Sequence, residues 1–293
     1  MSDSDTFAAR VRAAATRNNS LVCVGLDPDL TRFPASLRAR YERNPAGAIA
    51  AFNLAIIEAT SDLVCAYKPN LGFYLAHGVA GIEALARTRA AIPDTVPAIL
   101  DAKVNDIGHT AAAYAVGYFT QFGFDAITAS PYLGADSLAP LFAHAGRGVL
   151  IVCRTSNPHA GDLQDLPVAA TSGAATGPLY TAVARKIATW TEQFGAAGNC
   201  GAVVGATYPA ELAAVRAILP SAPLLIPGIG EQGGALAVTV RAGADAGGYG
   251  AIISASRSVT YASTGADFAT AARGATEALR STINNERLAV SAK

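Results

Sequence analysis

The chain has 293 residues, 51% of them hydrophobic and 15% charged, and its 22 basic and 22 acidic residues cancel to a formal net charge of zero. That length can bury a large core in one α/β domain, and that composition excludes a disordered or highly solvated chain. Neutrality removes the drive toward polyanions and charged membrane surfaces, so neither a nucleic acid polymer nor a membrane is expected as a partner.

From the N-terminus, the stretch Phe7 to Thr16 mixes Ala, Arg and apolar residues at helical spacing. It predicts a helix within 1–20 that packs on the main domain, and it lacks the apolar region of a secretory leader. No apolar run reaches the roughly 20 residues that a membrane span requires. Cys23, Cys65, Cys153 and Cys200 lie far apart and form no CxxC pair. They read as buried free thiols of a reducing compartment, so a cytoplasmic protein is expected.

The first predicted strand, 21–26, leads into Asp27-Pro28-Asp29, where a dinucleotide fold would carry its glycine fingerprint. A helix over 48–60 precedes the second strand, 63–68, which ends on Lys68 and continues into Pro69-Asn70. The third, 98–103, carries Asp101 and Lys103, which alternation along a strand places on one side. Asp106 follows in the turn toward a helix over 110–122. The fourth strand, 126–130, holds Thr128 and Ser130, and the fifth, 148–153, is followed by Arg154. Residues 156–178 are rich in Gly, Ala, Ser and Thr without a helical period, which predicts a lid after a strand end. Next come a helix over 179–194, a strand over 202–206, and a helix over 209–219 with Pro209 at a first-turn position. The seventh strand, 224–227, runs into Gly228-Ile229-Gly230, and the eighth, 251–255, into Ser256-Arg257. A helix over 268–280 follows, and 284–293 reads as a tail, expected to be disordered.

Most of these strands are continuously apolar, as strands covered on both faces of a parallel sheet are. Eight strands alternating with helices predict a single-domain (β/α)8 TIM barrel over 21–283, with an open doubly wound sheet as the alternative. A barrel gathers the C-terminal ends of its strands on one face, where its active site sits. One charged strand end can be a solvated rim residue, but charged or glycine-rich ends on most strands are hard to read that way. Lys68, Asp101, Lys103 and Asp106 alternate in sign, so each charge helps keep its neighbour ionised. Glycines after the seventh strand and Arg257 after the eighth suit a phosphate, held by backbone N–H groups and a guanidinium.

At these residues the chain resembles the orotidine 5'-phosphate decarboxylases, specifically a longer bacterial subgroup, over residues 21 to 257. The marks are Ala66-Tyr67-Lys68-Pro69-Asn70, the Asp-x-Lys-x-x-Asp of 101–106 with Thr110, Cys153-Arg-Thr-Ser-Asn-Pro158, and Pro227-Gly-Ile-Gly-x-Gln-Gly-Gly234. The resemblance implies conversion of orotidine 5'-phosphate to uridine 5'-phosphate and CO2 by a homodimer, without a metal or organic cofactor. It places Lys103 as proton donor beside Asp101, with Lys68 bracing Asp101 and, with Asp27, contacting the ribose hydroxyls. Asp106 and Thr110 would enter the partner subunit's site. Ser156 would bond the pyrimidine, Gln232 and Arg257 would hold the phosphate, and Asn70, Pro227, Gly230 and Ser256 would join the substrate-binding set. The pattern expects Arg-Gly where this chain has Val104-Asn105. The alternative is a Mg-dependent sugar-phosphate decarboxylase or synthase of the same barrel superfamily, which shares the Asp-x-Lys-x-x-Asp motif. Such enzymes add a carboxylate near the second strand, where this chain supplies Lys68-Pro69-Asn70.

Overall fold

The computed structural model describes residues 6–169, 177–229 and 236–291, the last four of these by backbone alone. Its barrel strands are β1 Val22–Gly25, β2 Ala66–Lys68, β3 Ile99–Leu100, β4 Ala126–Ala129, β5 Gly148–Arg154, β6 Cys200–Val204, β7 Leu224–Pro227 and β8 Ala251–Ala255. The sheet runs β2-β1-β8-β7-β6-β5-β4-β3 with every pair parallel. Two isolated parallel bridges, Tyr67 to Ala98 and Asn70 to Asp101, join β2 to β3 across the remaining gap. The ring therefore closes, and the open-sheet alternative falls.

Closure follows from the sequence pattern. β1, β4, β6 and β8 are buried along their whole length, as strands flanked by a packed interior and an outer layer of helices must be. The N-terminal helix Phe7–Arg17 is capped by Thr6, whose hydroxyl accepts the Ala9 N–H at 3.2 Å. It presses a fully buried Phe7 against the start of β5. A β-carbon at Gly148 would lie 2.6 Å from the Phe7 ring, so only glycine admits this contact. Truncating Phe7 to Ala would cost about 3–5 kcal/mol of stability. The helix thus closes the N-terminal mouth of the barrel and leaves the other mouth open.

Several boundaries differ from the sequence expectation for physical reasons. β3 stops at Leu100 rather than 103, because Lys103 takes a left-handed φ of 54° that an extended strand cannot hold. β6 ends at Val204 rather than 206 and begins two residues earlier than expected, at Cys200. At Gly205 the chain passes so close to Ser156 that a β-carbon would lie 2.7 Å from its backbone N. The helix expected over 110–122 begins at Gly108 and finishes as a π-turn, Val116–Gln121. The final helix runs Phe268–Ser291, through residues 284–291 that the sequence reading set apart as a tail. The segment read as a lid contains short helices at Pro158–Ala160 and Gly161–Gln164 and an antiparallel ribbon of Pro167–Val168 with Gly177–Pro178. Its residues 170–176 lie outside the described residues. Among the described residues no helix is long and apolar enough to cross a membrane.

Candidate active site

The open mouth is organised around one carboxylate. Asp101, 8% exposed, follows β3 and bridges to Asn70 beyond β2. Its Oδ2 accepts from Lys68 Nζ at 3.0 Å and Asn70 Nδ2 at 3.3 Å. Its Oδ1 accepts from Lys103 Nζ at 2.5 Å and Thr128 Oγ1 at 2.9 Å. Thr128 in turn accepts the Lys103 backbone N–H at 2.9 Å. The sequence reading reaches the Asp101–Lys103 pair by strand alternation. The pair is present by a different route, since the chain turns left-handed at Lys103 and folds the side chain back onto Asp101.

Charge balance inside this cluster resists burial. Desolvation opposes ionisation of Asp101, but the Lys68 and Lys103 ammoniums outweigh it and hold the carboxyl well below the usual carboxylate range. Desolvation likewise opposes the charge on Lys68, and the Asp27 and Asp101 carboxylates outweigh it, so that ammonium stays protonated far into alkali. Lys68 is sealed, its side chain only 6% exposed, whereas the Lys103 side chain is 43% exposed. The first fixes Asp101 and the second can reach a ligand.

A cleft of about 580 Å3 opens beside this cluster. Asp27, Lys68, Asn70 and Asp101 line one side, and Ser156, Pro227, Ser256 and Arg257 also line it, so the closed ring brings these distant positions together. Asp27 Oδ1 accepts the Asn70 N–H at 3.2 Å, and the Asn70 side chain caps the short helix Leu71–Leu75 through the Gly72 N–H. Ser256 is set against β1, where a β-carbon on Gly25 would lie 2.7 Å from its own. Gly230 and Gln232 lie outside the described residues. Lys103, Asp106 and the exposed Thr110 are not among the residues lining the cleft of this chain, and Lys103 adjoins it only through Asp101. Within one chain Asp106 stands apart from the charged network of Lys68, Asp101 and Lys103. Its Oδ1 accepts the Ile107 N–H at 2.7 Å, and no ion pair with Lys103 is found among the described residues.

The residues of the cleft wall that sequence reasoning missed include Asp29, Arg32 and Tyr261. The Tyr261 hydroxyl donates to the Asp27 carbonyl at 3.0 Å and accepts the Asp29 N–H at 2.6 Å, which ties the loop after β1 to the helix after β8. The Arg32 guanidinium lies 4.4 Å above its ring. The available signal was spacing, because Tyr261 stands one helical turn beyond Arg257. Arg154, read as another charged strand end, is turned away from the ligand side. It is 2% exposed, donates to the Thr155 carbonyl and Asp165, and stacks at 4.0 Å on Tyr208. Gln164 completes this brace by accepting the Thr155 N–H at 2.8 Å, one residue before Ser156.

Comparisons with known proteins agree with this geometry. The profile of the orotidine 5'-phosphate decarboxylase / HUMPS family matches residues 20–272. The orotidine 5'-phosphate decarboxylases of Thermomicrobium roseum and Herpetosiphon aurantiacus are each 50% identical to this chain, over 96% and 93% of it and 96% of either relative. The structure of Leishmania donovani OMP decarboxylase superposes with a TM-score of 0.80 at 36% identity, covering 97% of this chain and 99% of that one. Leishmania donovani UMP synthase gives 0.82 at 38% identity over 97% of this chain, which spans only 57% of that longer protein. With a profile match over most of its length and relatives at half identity, the chain belongs to the orotidine 5'-phosphate decarboxylase family.

Proposed function

We propose that this protein is a carboxy-lyase that converts orotidine 5'-phosphate to uridine 5'-phosphate and CO2 in pyrimidine biosynthesis. The observation that carries the reading is the buried Asp101 carboxylate, which lines the cleft and is held between two ammoniums, one sealed and one exposed. Relatives named for this decarboxylation at 50% identity favour it over the sugar-phosphate alternative.

In this reading the bond from C6 of the pyrimidine to its carboxylate breaks, CO2 departs, and the electron pair stays on C6. The Lys103 ammonium stabilises that developing charge and delivers its proton to C6, after which water reprotonates the amine. Asp101 holds the Lys103 side chain in place through their ion pair, and Lys68 keeps Asp101 ionised. Asp27, Lys68 and Asn70 would take the ribose, Ser156 the base, and Arg257 with Ser256, Pro227, Gly230 and Gln232 the phosphate. Binding energy from the phosphate, remote from the reacting atom, supports the chemical step. The Lys103 ammonium does the work of an electron sink, so we assign no metal or organic cofactor.

The same reading makes the protein a homodimer with Asp106 and Thr110 reaching the partner's cleft. Support comes from a run of exposed apolar side chains around the same mouth. Phe73, Leu75 and Val79 are 42%, 54% and 87% exposed after β2, Ile107 is 54% exposed after β3, and Tyr132 and Leu133 are 82% and 46% exposed after β4. Such a patch suits a second copy of the chain, and Ile107 adjoins Asp106. Four buried free thiols suit the reducing cytoplasm. The experiment is to follow orotidine 5'-phosphate by absorbance with purified protein, with and without EDTA. Turnover unaffected by chelation supports the reading. Loss of activity in EDTA, or turnover of a sugar phosphate instead, overturns it.

A further inference from the structure

Lys103 occupies a costly conformation. A left-handed φ of 54° is unfavourable for a residue with a β-carbon, so neighbouring contacts must hold it. β3 has already ended at Leu100, and residues 102–106 belong to no helix or strand. Two side-chain contacts carry the pairing with β4 beyond the end of the strand. One is the Thr128 hydroxyl on the Lys103 N–H. The other is Asn105, whose Oδ1 accepts the Ser130 N–H at 2.8 Å while its Nδ2 donates to the Ser130 carbonyl at 3.2 Å. A carboxamide that bonds both backbone groups of one residue replaces a rung of the sheet. Nδ2 also donates to Ser137 Oγ at 2.8 Å, and Ser137 is fully buried in the first turn of the helix Ala135–Phe142.

We propose that Asn105 is a positioning residue for decarboxylation: its carboxamide fastens the loop carrying Lys103 and Asp106 to the exit of β4 and so sets where the Lys103 ammonium stands. Asn105 itself is not among the residues lining the cleft. It acts through its neighbours, two residues after Lys103 and directly before Asp106. A glycine or alanine there would leave the Ser130 N–H and carbonyl without these partners and free the loop. The departure Val104-Asn105 thereby acquires a function, because the chain uses a side chain to pin the loop at this place.

The inference rests on the proposed decarboxylation, and its test keeps the two apart. Asn105→Ala removes all three bonds, and Asn105→Asp keeps the shape and the bond from the Ser130 N–H but loses both donations. For each, the single-turnover rate with orotidine 5'-phosphate is measured beside the affinity for uridine 5'-phosphate and the exchange rates of the Lys103 and Ser130 amides. The expected result is a single-turnover rate lower by about 10- to 100-fold, since small misplacements of a reacting group are costly, with affinity changed by less than about threefold. Faster exchange of both amides should accompany it. A rate within twofold of the parent in Asn105→Asp overturns the proposal, as does a loss of rate and affinity together in proportion to unfolded protein. If the parent protein fails to decarboxylate, the functional reading falls, while amide exchange still reports whether Asn105 holds the loop.

Discussion

The two mouths of the barrel each hold a nearly buried aspartate, Asp101 at 8% exposure beside the cleft and Asp125 at 7% at the start of β4, and they surround it with different cations. Asp125 accepts the Ala98 N–H at 2.8 Å and pairs with Arg10 at 2.5 Å, Arg147 at 3.3 Å and Arg89 at 3.6 Å. Those guanidiniums also donate to the Gly146, Phe124 and Gly123 carbonyls, so they tie the N-terminal helix and two loops to the floor of the barrel. Asp101 instead has two lysines. Arginine brings a rigid fork of donors and a proton it does not release, whereas lysine brings a point charge on a flexible stem and a proton it can give. The arginine mouth suits fastening, and the lysine mouth suits chemistry, in line with the division of labour between the two faces of such barrels.

The largest test of that contrast is at Lys103. Replacing it with Ala should lower the decarboxylation rate by at least about 10³-fold, the combined scale of a lost proton donor and a lost stabilising charge. The melting temperature should stay within about 2 °C, since the side chain is 43% exposed. Lys103→Arg restores the charge but not a transferable proton, so most of the loss should remain. Arginine activity near the parent level would show that charge alone suffices and that the two mouths differ less than their chemistry suggests.

At the floor the expectation reverses. Asp125→Asn leaves three guanidiniums without their counter-charge, and removing one partner of a largely buried cluster costs about 3 kcal/mol. That corresponds to a fall of roughly 6 °C or more in melting temperature for a domain of this size. The rate per folded molecule should be unchanged within twofold. A specific loss of rate in protein that is still folded would mean that the floor takes part in the reaction.

Arg257 sharpens the comparison from within the catalytic mouth, as an arginine placed in the cleft. A charged hydrogen bond is worth about 1.5–3 kcal/mol, so Arg257→Ala should reduce kcat/KM for the nucleotide by about 10- to 150-fold. The bare nucleoside, lacking the phosphate, should lose almost nothing. Equal losses for both substrates would detach Arg257 from the phosphate.

How much of this was legible depended on whether a feature is local. β7 and β8 were read to their observed ends, and β4 to within one residue, because continuous apolar runs bounded by Pro, Gly or charge carry strand length in themselves. Asp27, Lys68, Asp101, Ser256 and Arg257 were legible as polar strand ends once eight strands were counted. The end of β3 was not, because the turn at Lys103 is held by Thr128 and Asn105 across the sheet and by nothing in residues 98–103 themselves. Arg32 and Tyr261 escaped notice since β1 and β8 become neighbours only when the barrel closes. The Asp125 cluster draws on positions 10, 89, 125 and 147, which no local pattern connects.

The smallest expected effect tests whether the catalytic mouth, unlike the floor, is unfinished in one chain. Asp125 finds its three cations within its own subunit, whereas Asp106 bonds only its neighbouring N–H among the described contacts and stands apart from its own cleft. If Asp106 serves the partner, Lys103→Ala and Asp106→Ala are each impaired alone but complement each other when mixed. A mixed dimer then has one site carrying both defects and one with every group in place. Random reassortment of equal amounts makes half of the dimers mixed, so about a quarter of all sites should recover. If Asp106 instead folds back on its own barrel, every site keeps a defect and mixing restores nothing. The two variants, carrying distinguishable tags, are dissociated, reassociated together and assayed, with exchange confirmed by recovery of doubly tagged dimers. Recovery near a quarter of parent activity supports a site built from two subunits. Demonstrated exchange without recovery returns Asp106 to its own chain and makes both mouths self-contained.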